Sequence, residues 1–317
     1  MTLKTYGDWF TGFGGMTLGA IDARLTVVFG AEYDPKIAEV YRLNIGDHIR
    51  VCNLLEVDVS EFPRVDVFHA SPPCPNFSNA KTNGKETEND IALSAKVAEY
   101  IAYHLPDVFT LENVYQYRNS QSWRVIAQAL HTHGYLFNYW HVNMADYGVP
   151  QTRQRMIVIA RRDGVMPTLP PATHAESPQV GLFGTMKRWV SWYEAIEDLI
   201  PFLNSCEFAP WQENIQSLSS VDTFMISPNR NSFEWANEGD AILPTRPSPT
   251  VAAQKSINNF RVLIRGDKKQ LTWDCVKRFC TFPDWYQHGS ETRGYGNAAP
   301  LTFAEKLYTH LLQQYSG

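Results

Sequence analysis

The chain has 317 residues, 44% of them hydrophobic and 19% charged, and a formal net charge of −5 at pH 7. This composition excludes a disordered chain and a surface that is basic throughout, while the length allows one large α/β domain plus a smaller one. Five cysteines, an odd number with no CxxC pair, argue against a disulfide framework and a zinc site.

A reducing, cytoplasmic compartment fits that cysteine usage. No N-terminal signal and no apolar run approaching about 20 residues is evident, so a soluble protein is expected. Basic residues cluster only locally, at Arg153, Arg155, Arg161 and Arg162, at Lys187 and Arg188, and at Arg261, Arg265, Lys268 and Lys269.

Leu3 to Phe10 reads as a first strand, running into Thr11-Gly12-Phe13-Gly14-Gly15 and then an apolar helix from about Met16. Strand, glycine turn and helix let a backbone approach a ligand at a helix N-terminus, although the spacing is not the GxGxxG dinucleotide fingerprint. Leu25 to Glu32 is the second strand, ending in a carboxylate suited to ribose hydroxyls. Asp34-Pro35 opens a helix, with Asp34 best read as its cap. Ile49 to Asn53 reads as a third strand, and Val65 to Ala70 as a fourth.

The fourth strand empties into Ser71-Pro72-Pro73-Cys74-Pro75-Asn76-Phe77-Ser78. Two prolines stiffen the backbone ahead of Cys74, and a thiol presented this way is a nucleophile where its surroundings favour the thiolate. For a Cys taken alone, a packed structural role competes with that reading. The polar stretch Lys81 to Asp90 reads as a lid loop, Ile91 to Leu105 as a helix, and Asp107 to Val114 as a strand with Glu112 at its far end. A helix over Arg124 to His133 and a strand over Tyr135 to Asn143 follow. Arg153 and Arg155, two residues apart in strand-like sequence, are expected on one face, suited to an anionic or carbonyl-rich ligand.

Beyond 164 prolines crowd in and the strand–helix alternation is lost, which sets the expected domains at 1–164, 165–290 and a returning segment 291–317. Tryptophans in the middle segment (Trp189, Trp192, Trp211, Trp235) are read as core rather than as wedges. The fold class is α/β, a doubly wound, mostly parallel sheet with a second, smaller domain.

In this order the blocks resemble the cytosine-C5 DNA methyltransferases, nearly end to end. The blocks are Asp8 to Gly15, Glu32-Tyr33-Asp34, Pro72-Pro73-Cys74, Glu112-Asn113-Val114, Gln151 to Arg155, Arg246 to Thr250 and Gly296-Asn297-Ala298. The resemblance implies a catalytic set of Cys74, Glu112, Arg153 and Arg155. It implies S-adenosylmethionine as cofactor, with S-adenosylhomocysteine as product, at Phe10, Phe13, Gly14, Glu32, Tyr33, Asn53, Pro73 and Asn297, and no metal. It further implies double-stranded DNA as partner, a target cytosine flipped out of the helix, a monomer near the nucleoid, and a possible cognate restriction endonuclease.

The sequence departs from the family pattern at Pro75, where the family commonly has Gln, at Asn53, where it usually has an acid, and at Ala299, where it has Val. The first departure leaves open a cytosine in transfer RNA as the substrate. The same blocks would also suit a relative that transfers a modified group, or a catalytically silent relative that only binds DNA. A cysteine hydrolase fits worse, because no histidine stands in a motif that pairs with Cys74.

Overall fold

The computed structural model describes residues 3–73, 86–178, 180–181, 184–218, 220–227, 240–252 and 257–316. Seven strands form its principal sheet: β1 (Thr5–Trp9), β2 (Thr26–Glu32), β3 (Ile49–Val51), β4 (Val67–Ala70), β5 (Val108–Asn113), β6 (Leu136–Asn143) and β7 (Gln154–Arg161). Their order is β3-β2-β1-β4-β5-β7-β6; the first five run parallel, and β7 lies antiparallel to both β5 and β6. This is the doubly wound, mostly parallel α/β sheet expected from the sequence. Its order reverses between β1 and β4, and in such sheets ligands bind outside the carboxyl ends of the strands at that point.

The central strands are buried along their whole length, which is why β4 and β5 read as apolar runs with a few polar exceptions. On one face Trp9, Phe68 and Phe109 pack with Tyr100 of helix α3 (Glu88–His104) and Ile126 and Leu130 of α4 (Gln121–Thr132). On the other, α1 (Gly15–Asp22) packs against the C-terminal helix Leu301–Ser316, so closely that a Cβ on Gly19 would come within 2.6 Å of the Ala304 backbone carbonyl carbon. Helix α2 (Pro35–Asn44) begins as expected, with Asp34 Oδ1 accepting from Lys36 N at 2.9 Å and Pro35 in the first turn.

Residues 86–90, which read as loop by composition, are instead helix caps (Glu86 and Thr87) and the first turn of α3 (88–90). Glu86 accepts from Gln121 N and Ser122 N at 2.8 and 2.7 Å at the start of α4, and Thr87 and Asp90 form a capping box on α3. Cap residues and loop residues are the same types, so composition alone cannot separate them.

By its packing the chain falls into two units: Met1–Asn143 with Gln154–Pro171 and Leu301–Gly317, and Met144–Arg153 with Ala172–Pro300. Within the second, Gln151–Thr152 pairs in parallel with Ser248–Pro249, so two of the sequence blocks are neighbours in one short ladder. Gln151 secures it from both ends of its amide, donating to the Phe279 carbonyl and accepting from Val251 N, each at 3.1 Å. Phe224–Ile226, Ala241–Ile242, Arg261–Ile264 and Asp267–Gln270 make a four-stranded antiparallel sheet over Phe208 and Ile215. Trp192 is core, its Nε1 donating to the carbonyls of Ile242 and Leu243. Of the basic residues on that sheet, Arg261 donates to Gln212 and Lys268 pairs with Glu213.

Candidate active site

The turn after β1 is built by local backbone chemistry. Phe10 adopts a left-handed conformation (φ 63°), its N–H and that of Thr11 both donating to the Ala31 carbonyl at the end of β2. Gly14, also left-handed at φ 75°, starts α1, and its N–H closes the turn on the Thr11 carbonyl at 2.8 Å. A Cβ there would lie 2.2 Å from Ile45 Cδ1 and 2.9 Å from the ring of Tyr41, a fully buried side chain whose hydroxyl is bonded to His48. Gly14→Ala should therefore destabilise the chain by about 2–4 kcal/mol, combining left-handed strain with overpacking, read as a lower denaturant midpoint in urea. An unchanged midpoint would contradict the packing argument.

Glu32 ends β2 with a carboxylate that accepts three backbone N–H groups: Gly12 N on Oε2 at 3.0 Å, and Tyr33 N and Asp34 N on Oε1 at 2.8 and 2.9 Å. Burial raises its pKa, while those three donors pull it back down. Around Gly12 no atom of the described residues beyond its chain neighbours lies within 4 Å of where a Cβ would sit, so the backbone there is bare of them. Thr11 Oγ1 is buried beside it with no hydrogen-bond partner among the described residues. A held carboxylate, a bare glycine turn and the exposed ring of Tyr33 form a donor and acceptor set that fits an adenosyl group. Asn53 lies past the end of β3 in a tight turn: its Oδ1 accepts from Leu55 N at 3.2 Å and its Nδ2 donates to Glu56 at 2.7 Å. Phe13, by contrast, is a core side chain with no exposure, so only its backbone can face a ligand.

At the end of β5, Glu112 is buried at 5% exposure, and Arg155 Nε, one strand over on β7, stands 2.8 Å from its Oε1. The contact is an ion pair without a directed hydrogen bond, and Oε1 has no donor among the described residues. The next residue, Asn113, donates from Nδ2 to the Pro72 carbonyl at 2.9 Å and accepts from Val114 N at 2.8 Å. That amide ties the strand carrying Glu112 to the Pro72-Pro73 segment. Only its burial in a strand, where an amide must find partners, hints at it in the sequence. Pro73 is exposed and leads to Cys74, which with Pro75, Asn76 and Lys81 to Lys85 lies outside the described residues.

Arg153 and Asn297 belong to the second unit. Arg153, 1% exposed, donates from Nη1 to the Gly296 carbonyl at 3.0 Å and from Nη2 to the Asn297 carbonyl at 3.4 Å. It thus fixes the end of the short helix Gly294–Asn297, on which the Asn297 side chain is exposed. Arg153 and Arg155 do not share a strand face, because Arg153 stands between Gln151–Thr152 and β7. Among the described residues no cluster of His, Cys, Asp and Glu could hold a metal ion, and no helix is long and apolar enough to cross a membrane.

Beneath the turn, Asp8 is 1% exposed; its Oδ2 accepts from Thr17 Oγ1 at 2.7 Å and Tyr6 OH at 3.3 Å. Burial pushes its carboxyl up to about 7, against the lowering effect of those two donors. Between about pH 4 and 7 the folded chain keeps a proton that the unfolded chain has lost, so this group's contribution to stability falls as pH rises. Burial drives His69 the other way, down to about 3, and its contribution grows up to the pKa of an unfolded histidine. Asp8→Asn removes only the first effect. Its urea midpoint relative to wild type should rise by the equivalent of a few kcal/mol between about pH 4.5 and 7.5, and a pH-independent difference would refute this.

A model of the C-5 cytosine-specific DNA methylase family matches residues 5–313. The Type II methyltransferase M1.HphI of Haemophilus parahaemolyticus is 30% identical over 193 residues, covering 56% of this chain and 51% of that protein. M.BspRI of Lysinibacillus sphaericus is 24% identical over 312 residues, covering 90% of this chain and 69% of its own length. The chain spans about half the length of the curated relatives M1.HphI, M.NgoBI and M.Bsp6I. Among solved structures, the S. pombe Dnmt2 methyltransferase superposes with a TM-score of 0.68 at 15% identity over 99% of both chains. A putative DNA modification methyltransferase encoded within an E. coli prophage gives 0.65 at 18% identity, over 99% of this chain and all of that one. These structural likenesses concern the fold alone; the family match, across nearly the whole length, places the chain in the C-5 cytosine-specific DNA methylase family.

Proposed function

We propose that the protein methylates C5 of a cytosine in double-stranded DNA. The observation that carries this reading is the buried Glu112–Arg155 pair at the carboxyl end of β5, tied through Asn113 to the segment that runs into Cys74. A buried carboxyl oxygen that has the Arg155 ion pair but no directed donor among the described residues suits a ligand that brings one, as the amino group on a pyrimidine edge does.

S-adenosylmethionine, which Phe10, Gly14, Glu32, Tyr33, Asn53, Pro73 and the Phe13 backbone would hold, would supply an electrophilic methyl on a positively charged sulfur. The chain's own residues make the other partner reactive. Addition of the Cys74 thiolate to C6 breaks the C5–C6 double bond and moves electron density onto C5 and the N3 side of the ring. Glu112 delivers a proton at N3, and Arg155 donates to the O2 carbonyl, so that neither atom carries uncompensated charge. After methylation, a base takes the C5 proton, the electron pair left behind re-forms the double bond and expels the thiolate, and N3 returns its proton to Glu112. Arg153 has a role within the second unit, where it fixes the turn that carries Asn297. A base inside a duplex cannot reach these groups, so the target must be extruded.

On this reading duplex DNA is the partner, 165–290 is the target-recognition domain, and the chain works as a monomer alongside a possible cognate endonuclease. The test is transfer of labelled methyl from S-adenosylmethionine to mixed-sequence duplex DNA and, separately, to bulk transfer RNA. Label in DNA alone is the expected result. Label in transfer RNA alone would move the substrate to RNA, and label in neither would overturn the reading.

A further inference from the structure

One line of polar side chains crosses the buried interior of the first unit and ends three residues before Cys74. The sheet register pairs Asp8 of β1 with His69 of β4, and His69 with Thr110 of β5, so the three form one row. None is more than 1% exposed. Tyr6 OH donates to Asp8 Oδ2 at 3.3 Å, and Tyr308 OH, from the C-terminal helix, donates to Tyr6 OH at 3.2 Å. Thr110 Oγ1 is 3.4 Å from Tyr308 OH, His69 Nδ1 is 2.9 Å from Thr110 Oγ1, and His69 Nε2 is 2.9 Å from Ser71 Oγ.

Each hydroxyl has one proton to give, which fixes the direction of the line. The Tyr308 proton goes to Tyr6, so Thr110 gives its proton to Tyr308. The bond between His69 and Thr110 is then donated by Nδ1–H. A neutral imidazole has one N–H, which leaves Nε2 bare to accept the Ser71 hydroxyl.

What Ser71 controls is set by the prolines after it. Pro72 and Pro73 have no N–H, so the backbone offers no donor between Ser71 and Cys74. The start of this stiff segment is held by Ser71 N on the Trp9 carbonyl at 3.3 Å, by Asn113 on the Pro72 carbonyl, and by the Ser71 hydroxyl on His69.

We infer that His69, as the Nδ1–H tautomer, is a positioning residue for the reaction: by accepting the Ser71 hydroxyl it sets where the Pro72-Pro73 segment begins and so where Cys74 is presented. This rests on the methyl-transfer reading above. It concerns geometry alone, since His69 reaches the reaction only through Ser71.

The test uses substitutions that keep one half of the imidazole's bonding. His69→Asn keeps a group at the Nδ1 position and loses the Ser71 contact, whereas His69→Gln keeps a group at the Nε2 position; Ser71→Ala removes the hydroxyl, and Ser71→Thr keeps it. His69→Asn and Ser71→Ala should lower kcat about ten- to a hundredfold with the KM for S-adenosylmethionine within about twofold, the size of effect a small misplacement produces. His69→Gln and Ser71→Thr should stay within about threefold of wild type. A second readout needs no turnover: the rate of Cys74 alkylation by iodoacetamide, followed by peptide mass mapping, should change at least about threefold in the first pair and not in the second. Equal behaviour of the two pairs in both readouts, or a wild-type rate in His69→Asn, overturns the inference. Failure of wild type to methylate any nucleic acid would overturn the methyl-transfer reading instead, and the alkylation rates would still decide the role of His69.

Discussion

Cys74→Ala should abolish methyl transfer, lowering kcat by at least about four orders of magnitude, because it removes the bond-forming atom rather than a supporting contact. The anchors of the preceding segment do not involve the thiol: Ser71 stays on His69 and the Pro72 carbonyl on Asn113. Denaturant stability and cofactor binding should therefore match wild type. A duplex carrying 5-fluorocytosine sharpens the test, since fluorine at C5 cannot leave as a cation and the adduct to C6 persists after methylation. Wild type with S-adenosylmethionine should give a protein–DNA band that survives a denaturing gel, and Cys74→Ala should give none. A trapped band in the variant, or turnover within tenfold of wild type, would remove Cys74 from the reaction. The remaining cysteines outside the 74–85 segment are poor substitutes: burial raises the pKa of Cys52, Cys206 and Cys275, and Cys280 is buried at 1% exposure.

The parts of the fold legible in the sequence are those with a single physical cause. Buried parallel strands read as apolar runs, so Val67-Phe68-His69-Ala70 and Val108 to Leu111 are visible without a structure, and Asp34-Pro35 marks a helix start because cap and N1 chemistry are local. Glu112 is visible as an acid where such a strand ends. Its value to a site lies in its burial and in Arg155 beside it, 43 residues along the chain, a pairing that depends on β7 running antiparallel to β5. Arg153 shows the limit of strand periodicity. Alternate residues share a face only within one strand, and the chain changes ladders between Thr152 and Gln154. Phe13 shows another limit: an aromatic ring between two glycines can face a ligand or the core, and here it fills the core. The partners that Asn113 and His69 take, Pro72 and Ser71, are set by tertiary packing, and no local pattern names them.

Glu112→Gln should lower kcat about a hundred- to a thousandfold with little change in the KM for S-adenosylmethionine, because the amide keeps the shape and loses the proton to be delivered at N3. The same substitution has a structural cost that must be separated from the catalytic one. Arg155 is 13% exposed at its side chain and has Glu112 as its carboxylate partner at 2.8 Å, so the variant leaves a mostly buried guanidinium without its counter-charge. Breaking such a pair destabilises by several kcal/mol when both partners are dry; the residual exposure of Arg155 and its bond to the Gln154 carbonyl reduce that to about 1–3 kcal/mol. Glu112→Gln/Arg155→Met removes the orphaned charge. Its urea midpoint should return toward wild type, since an apolar replacement of a buried pair is often neutral or stabilising. Its kcat should stay as low as that of Glu112→Gln or fall further, because O2 then loses its donor as well. If the double variant regains activity along with stability, Glu112 and Arg155 serve to hold the fold, and the acid at the end of β5 is not the group that protonates the base.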